Sequence, residues 1–576
     1  MDRQVFEQNL KFISIHNPSL CPKLKAFSGT KHYRIMETKS GLQIPAIIDK
    51  SGAAHPLHST VDPEREAQRL LSSLEDEKNV LSAGFLVFLG LGAGFAVHVA
   101  LQRADVFRVL IIDYDMEGVS ELLSNFDFTE ILSDPRLNIL IDPSSMEIES
   151  LVLEQYMPAF CGGIRILPLR ARTEQDSSRF NQAADTIKQA IEKISFDYSV
   201  QAHFGSRWLS NIIRNLKTAQ TQINRELPAG ITAKMIPEKE PIEAVICAAG
   251  PSLDEQIPSL AELKQKQKNI FIIAADTSLP ALLCHGITPD AVVSIDCQHI
   301  SYYHFIGTQC RNIPLFLDLS SPPLLAHLSE APVFFSGGHP LARYISDFYG
   351  CFPPIDTSGG NVTYACLSVA ESLGAEKIHI YGADFSYPHG RLYAKGAYIY
   401  RYFEKKQNRF SSLESQISSF LYRSDFLPSD NKRYYETATL RFYRNKFEEK
   451  ASTINAEITA EPGAGAPIQL LPKKIHHLNK NRTALFADPF KPRTKINALD
   501  FLEQYKKAIC NLPLIGQEPG IYMQKLKDNE RRILATILPL LAAIKHRRPE
   551  LGTSELFEAT KKSCIEEIEN KLIVNS

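Results

Sequence analysis

The sequence predicts an α/β protein with two Rossmann-like, doubly wound units, one N-terminal and one central, followed by a helical C-terminal region. Three observations carry this. At 576 residues the chain is too long for a single core. Two stretches alternate short apolar runs with segments of helical period. In each stretch the first apolar run ends in a glycine turn that opens a helix. The composition, 44% hydrophobic and 22% charged, is that of a globular protein. A formal charge of −1 supplies no field to gather nucleic acid or an anionic membrane, so nucleic acid is not an expected partner.

Residues 1–75 form an N-terminal region. Within it, "HSTVDPEREAQRLLSSL" starts at a proline and then keeps helical period through Ala67, Leu70, Leu71 and Leu74. The first unit spans 76–200, with strands expected at "GFLVFLGLG", "RVLIIDYD", "RLNILID" and "IRILPL". Its segment Leu81 to Leu101 lacks Asp, Glu, Lys and Arg and has the length of a membrane span. Glycines at 90, 92 and 94 interrupt it, so strand, turn and helix is the reading, and no membrane span is expected. A helical tract from about 177 to 224 holds the sole tryptophan, Trp208, and includes a connector at 201–240. The second unit spans 241–402, with strands at "EAVICAAG", "NIFIIAAD", "AVVSID", "PLFLDL", "PVFFSG" and "KIHIYGAD". Residues 403–576 read as a mainly helical domain that includes the turn-rich "AEPGAGAPIQLLPKK" and the apolar-centred helix Arg531 to Arg548. The ten cysteines show no C-x-x-C pair, which fits reduced thiols without a zinc or disulfide framework. With an N-terminus, "MDRQVFEQNL", that lacks a signal-peptide core, a cytoplasmic protein is expected.

In the first unit Gly90, Gly92 and Gly94 lie between strand and helix, and Asp113 ends the next strand. That is the layout of a dinucleotide or adenosyl-methionine site, in which backbone amides meet a phosphate and the acid takes ribose hydroxyls. The spacing is G-x-G-x-G rather than G-x-G-x-x-G, so the glycines could equally serve only to pack helix on strand. In the second unit polar groups recur at strand carboxyl ends, where open α/β sheets bind ligands. Gly250-Pro251-Ser252 follows the first strand, with Ser252 an expected N-cap at a helix end suited to phosphate. Asp276-Thr277 ends the second strand and Asp296 the third. Ser358-Gly359-Gly360-Asn361 opens another helix, and Asp384, Tyr387, His389 and Tyr393 follow the last strand. An anionic ligand is expected there.

"ICAAGPSL", "AADTSLPALLCHGITPDAVVSID" and "TSGGNVTYACLSVAESLGAEKIHIYGADFSY" resemble the central domain of the motility-associated factor family, proposed flagellin glycosyltransferases. "HSTVDPEREAQRLL" and "FLGLGAGF" resemble that family's N-terminal domain. The central domain is similar in turn to CMP-sugar-dependent sialyltransferases and to archaeal hydroxymethylpterin diphosphokinases. From the sialyltransferases the resemblance implies that Gly250, Pro251, Ser252, Ser358 and Gly359 hold CMP, and that Tyr387 and Tyr393 contact its phosphate. Those enzymes carry a general-base histidine further downstream, whereas here no histidine occurs between His389 and His476. Asp296, Asp384 and His389 remain as candidate bases.

The implied reaction transfers a nonulosonic acid of pseudaminic or legionaminic type from its CMP ester to a flagellin Ser or Thr, with inversion. Flagellin and the nucleotide sugar are the implied partners. Mg²⁺ is left open by the paired aspartates, and self-association is left open too. The alternatives are a Mg²⁺-dependent pterin diphosphokinase-like enzyme and a non-catalytic nucleotide-binding scaffold in flagellar assembly.

Overall fold

The structure, a computed structural model, describes residues 3–27, 32–48, 52–75, 80–223, 242–266, 270–428, 433–470, 496–516 and 521–573. It is the α/β fold the sequence predicts. Contacts divide the chain into two compact units. The first comprises residues 1–205, 511–534 and 538–563, and the second comprises 206–510, 535–537 and the chain from Cys564 on.

The first unit begins with a small antiparallel sheet of β1 (Tyr33–Glu37), β2 (Gln43–Ile48) and β3 (Ala54–Pro56). Its main sheet is parallel: β4 (Phe85–Leu89), β5 (Arg108–Asp113), β6 (Leu137–Ile141) and β7 (Ile164–Pro168), in the order β6-β5-β4-β7. Both faces are covered, as a parallel sheet requires. Leu86, Phe88, Val109 and Ile111 join one core, while the alternating Phe85, Val87, Leu110 and Ile112 join the other. The segment Leu81 to Leu101 is β4, the glycine turn and the helix Phe95–Leu101. No described helix is long and apolar enough to cross a membrane.

The second unit is built on seven parallel strands: β8 (Ile242–Cys247), β9 (Ile270–Ala275), β10 (Ala291–Ser294), β11 (Leu315–Asp318), β12 (Pro332–Phe335), β13 (Ala375–Tyr381) and β16 (Glu457–Ala460). The order is β12-β11-β10-β9-β8-β13-β16. Winding proceeds one way from β8 to β12, then reverses at β13, which puts the topological switch point at the carboxyl ends of β8 and β13. A two-stranded ribbon, β14 (Tyr387–Pro388) and β15 (Tyr434–Tyr435), lies just beyond β13 in sequence.

The expected long helix is present as Ser177–Ile223, and the remainder of the connector lies outside the described residues. The C-terminal region differs from expectation. It is not one helical domain, because β16 within it completes the second unit's sheet and its helices are shared between both cores. Tyr522 packs edge-on to Phe557 in the first unit, and Tyr505 bonds Thr536 at 2.6 Å in the second. The helix Asp528–Arg547 buries Ile533, Leu534, Ile537, Leu540 and Leu541, so it is a core helix with basic residues at its carboxyl end.

Candidate functional site

The glycine turn of the first unit is filled by the protein itself. Asp113 accepts the Leu91 amide at 2.9 Å and pairs with Arg172 at 2.9 Å, both side chains being almost wholly buried. The Ala93 amide donates to His58 Nε2 at 2.9 Å. A Cβ on Gly90 would meet Arg172, and one on Gly92 would meet His58. These are the amides and the acid that a dinucleotide would need. Gly90, Gly92, Gly94 and Asp113 thus form a closed packing joint in this structure. Burial pushes His58 down to about 4, so it is a neutral acceptor near pH 7.

In the second unit the turn after β8 is tied to the turn after β13. Gly250 N–H donates to Gly382 O at 2.7 Å, and Gly382 N–H to Gln256 Oε1 at 2.7 Å. Gly250 is required by close approach, since a Cβ there would run into the Asp384 carboxylate and the Gly382 carbonyl. The Ser252 reading needs correction. Ser252 does not cap the following helix, Leu253–Lys266, with its oxygen. Its hydroxyl donates to Asp384 Oδ1 at 2.5 Å and its amide to Oδ2 at 2.8 Å. The loop 461–466 closes over this pair: Ala464 N–H donates to Ser252 Oγ at 2.9 Å, and Gln256 Nε2 holds the Pro462 carbonyl at 2.9 Å. The Asp384 carboxylate takes the position expected for a phosphate. Asp384, whose pKa burial raises, is engaged at both oxygens and is a poor base. His389 is exposed at φ 52° in the turn after β14.

The remaining residues converge beside this latch, at the ends of β9, β10 and β13. Asp276 is buried, accepts the Ser294 hydroxyl at 2.6 Å and the Thr277 amide at 2.7 Å, and has a pKa raised by burial against the opposing pull of His304. Asp296, half-buried, accepts the Gln298 amide at 2.9 Å. Burial raises the Tyr393 phenol, and the neighbouring Tyr398, Tyr387, Asp276 and Tyr443 push it further. Burial likewise raises Tyr398, with Asp276 and Asp296 adding to it, and Tyr443, with Asp296 adding. Tyr398 comes from the helix Tyr398–Glu404 and Tyr443 from the helix Ala438–Thr453. The turn Ser358–Gly360, exposed at Ser358 and Gly360 and buried at Gly359, adjoins them through Gly360, where a Cβ would sit 3.2 Å from the Tyr443 ring. Asn361 caps the helix Val362–Ser372, its Oδ1 accepting Tyr364 N–H at 2.9 Å.

The structure thus gathers Asp276, Thr277, Asp296, Tyr387, Tyr393 and the 358–361 turn, and it adds three residues that sequence reading missed: His304, Tyr398 and Tyr443. Tyr398 and Tyr443 fall on helical stretches with no motif spacing, and His304 lies ten residues past β10. The cluster offers phenol and amide donors suited to an anionic oxygen, with carboxylates nearby. Among the described residues no three His, Cys, Asp or Glu side chains converge as metal ligands.

Three comparisons bear on this site. A family profile described as 6-hydroxymethylpterin diphosphokinase MptE-like matches residues 210–390. A Treponema pallidum protein named only as uncharacterized is 30% identical over 180 residues, which is 31% of this chain and 80% of that protein. Another from the same organism is 38% identical over 120 residues, 20% of this chain and 42% of that protein. A solved structure, the MAf glycosyltransferase from Magnetospirillum magneticum AMB-1, superposes with a TM-score of 0.60 at 13% identity, covering 100% of this chain and 95% of that one. That likeness is one of fold.

Proposed function

We propose that this chain, which belongs to the same family as the first of those Treponema pallidum proteins, has an MptE-like domain and adopts the motility-associated factor fold, is a glycosyltransferase. Its donor is a CMP-activated nonulosonic acid and its acceptor a flagellin Ser or Thr hydroxyl. The observation that carries the reading is the aromatic and acidic cluster at the ends of β9, β10 and β13, beside the switch point of the seven-stranded sheet. Cleaving a CMP ester places charge on the leaving phosphate, and donors fixed in a partly desolvated site stabilise that charge. Tyr387 and Tyr393 are such donors, while in the 358–361 turn the Ser358 amide already serves Asp356 and the Gly360 amide the Thr357 carbonyl. The Gly250–Ser252 turn supports them from behind, held by Asp384.

Calorimetry with CMP, with ATP plus Mg²⁺ and with S-adenosylmethionine tests the class. CMP binding that weakens about tenfold in Tyr393→Phe, the worth of one good hydrogen bond, supports the transferase. The MptE-like description favours a diphosphokinase as second reading, and a preference for ATP with Mg²⁺ would establish that one instead. The acceptor is tested by the intact mass of flagellin co-expressed with this chain and the donor pathway. An unchanged mass removes flagellin from the reading.

A further inference from the structure

The ribbon strands β14 and β15 enclose an excursion, residues 389–433, whose charge differs from that of the chain. It holds nine Lys or Arg against four Asp or Glu, where the whole chain holds 64 against 65. Two of its arginines fasten it to the rest of the second unit. Arg391 pairs with Asp254 at 3.5 Å, and Arg401 donates to the Ile306 carbonyl at 2.9 Å. Lys405, Lys406, Arg409 and Arg423 are exposed instead. Among the described residues, none of these four has a carboxylate within ion-pair distance.

The same excursion carries a row of rings from the site to the surface. Tyr387, Tyr393, Tyr398 and Phe426 pack against one apolar cluster of Leu392, Ile399, Phe403 and Leu421. The Ala394 amide donates to the Ala249 carbonyl at 2.9 Å, which sets Tyr393 beside the Gly250 turn. Tyr387 stands directly opposite Tyr435 in the ribbon, so the two side chains share a face. Phe426 lies 6.5 Å from Tyr387 and 5.1 Å from Tyr435, which is 38% exposed. Tyr422, 63% exposed, lies 6.0 Å from Phe426 and 6.2 Å from Tyr435. A second row adjoins at the carboxyl end of the helix Leu413–Leu421. There Phe420 packs on Phe403 at 6.0 Å, and the neighbouring Tyr402 carries the Lys406 ammonium 4.0 Å from its ring centre. Contiguous exposed rings mark an interaction surface, and aromatic residues with Arg are what interface centres are made of.

We propose that this basic, aromatic face of the excursion docks an acidic polypeptide segment, the one that presents the acceptor hydroxyl. The acceptor role of that segment rests on the glycosyltransferase reading of the site. Charge complementarity selects an acidic partner, because four exposed cations lack a carboxylate. Continuity selects a polypeptide, because the row of rings begins at Tyr387, to which the proposed function assigns the donor phosphate. An extended chain laid along the row stacks its side chains on Tyr422, Phe426 and Tyr435, meets Arg423 with a carboxylate, and enters the site at one end. An anionic lipid surface would meet the cations but has no reason to follow rings into the site.

Two labelled peptides test this by fluorescence anisotropy, with no donor present. One sets a Ser among Asp, Glu, Leu and Tyr, and its twin has Asn and Gln in place of the acids. Wild-type protein binds the acidic peptide at least about tenfold tighter, by a margin that shrinks as salt rises. Lys406→Glu combined with Arg423→Glu removes that margin and leaves the neutral peptide within about twofold. Tyr422→Ala weakens both peptides about five- to tenfold, the loss expected of a ring at an interface. All three side chains are exposed, so CMP binding by calorimetry stays as in wild type, while KM for flagellin rises by the factor seen with the acidic peptide. Equal binding of the two peptides by wild type overturns the proposal, as does a margin that survives the double substitution. Phosphatidylglycerol vesicles that bind wild type but not the double variant, with peptide binding unaltered, overturn it in favour of a lipid surface. A margin for the acidic peptide without CMP binding keeps the docking surface and sinks the glycosyltransferase reading. CMP binding and transfer without that margin do the reverse.

Discussion

Asp384 and Ser252 stand 132 positions apart and make a two-point hydrogen bond that joins two strand ends of one sheet. Asp384→Ala leaves the Ser252 amide and hydroxyl buried without this acceptor, at a cost of about 3 kcal/mol, whereas Asp384→Asn keeps one acceptor and costs less. Urea unfolding followed by Trp208 fluorescence, which reports the second unit, measures both. Equal loss in the two variants would contradict the latch. His58 gives a prediction with pH. Its folded value of about 4 lies below the ordinary 6.5, so on acidification the unfolded chain takes the proton first. The stability that neutral His58 contributes is whole above about 6.5 and drains away as pH falls to about 4, a loss of up to about 3 kcal/mol. His58→Gln, unable to titrate, should be less sensitive to pH in that window when urea midpoints are compared by circular dichroism. These residues also show where the sequence stops being readable. An Asp after a strand is the same letter whether it faces a ligand or a serine. Only the closure of Gly463 and Ala464 over Ser252, some 212 positions along, separates the cases.

At the scale of elements, period made most of the fold legible. β4 to β13 are apolar runs bounded by turns, and the helix Ser177–Ile223 keeps its stripe for 47 residues. β16 is hidden because "EITA" is only four residues after a charged helix, Glu457 and Thr459 exposed and Ile458 and Ala460 half-buried, too short a run for its alternation to stand out in sequence. The late part of the long helix does more than connect. Asn215 Nδ2 donates to the Leu319 and Ser321 carbonyls at 2.8 and 2.7 Å, and Asn211 Nδ2 to those of Cys297 and Ser320 at 3.1 and 2.7 Å. The loops after β10 and β11 are thereby fixed, the first of them carrying Asp296. Asn215→Ala should cost about 1–3 kcal/mol by leaving buried carbonyls short of a donor. Amide exchange at Leu319 and Ser321 should quicken with it. Unchanged exchange there would mean that the strands alone hold these loops.

At the scale of the molecule, two parallel sheets each wind outward from their first strand and reverse, so each has a switch point where a ligand could sit. Side-chain packing separates them. In the first unit Arg172 and His58 seal the turn, and the buried Arg172–Asp113 pair would have to break before a ribose or phosphate entered. In the second, the latch of Ser252, Asp384 and the 461–466 loop closes only the switch point, and the aromatic cluster gathers beside it. Glycine turns alone could not distinguish the units, because the residues that seal or spare them lie elsewhere in the chain. One ligand-accepting unit is therefore expected, and linkage tests it. A ligand that binds only the folded second unit raises its stability by RT ln(1 + [L]/Kd), about 2.7 kcal/mol at a hundredfold excess over Kd. CMP should shift the unfolding transition seen by Trp208 by that amount. Native-state exchange of the Leu91 and Ala93 amides in the first unit should not slow with S-adenosylmethionine or NAD, since those amides already serve Asp113 and His58. Slower exchange there with either cofactor would show that the seal opens. The glycine turn of the first unit would then be a second binding site rather than a packing joint.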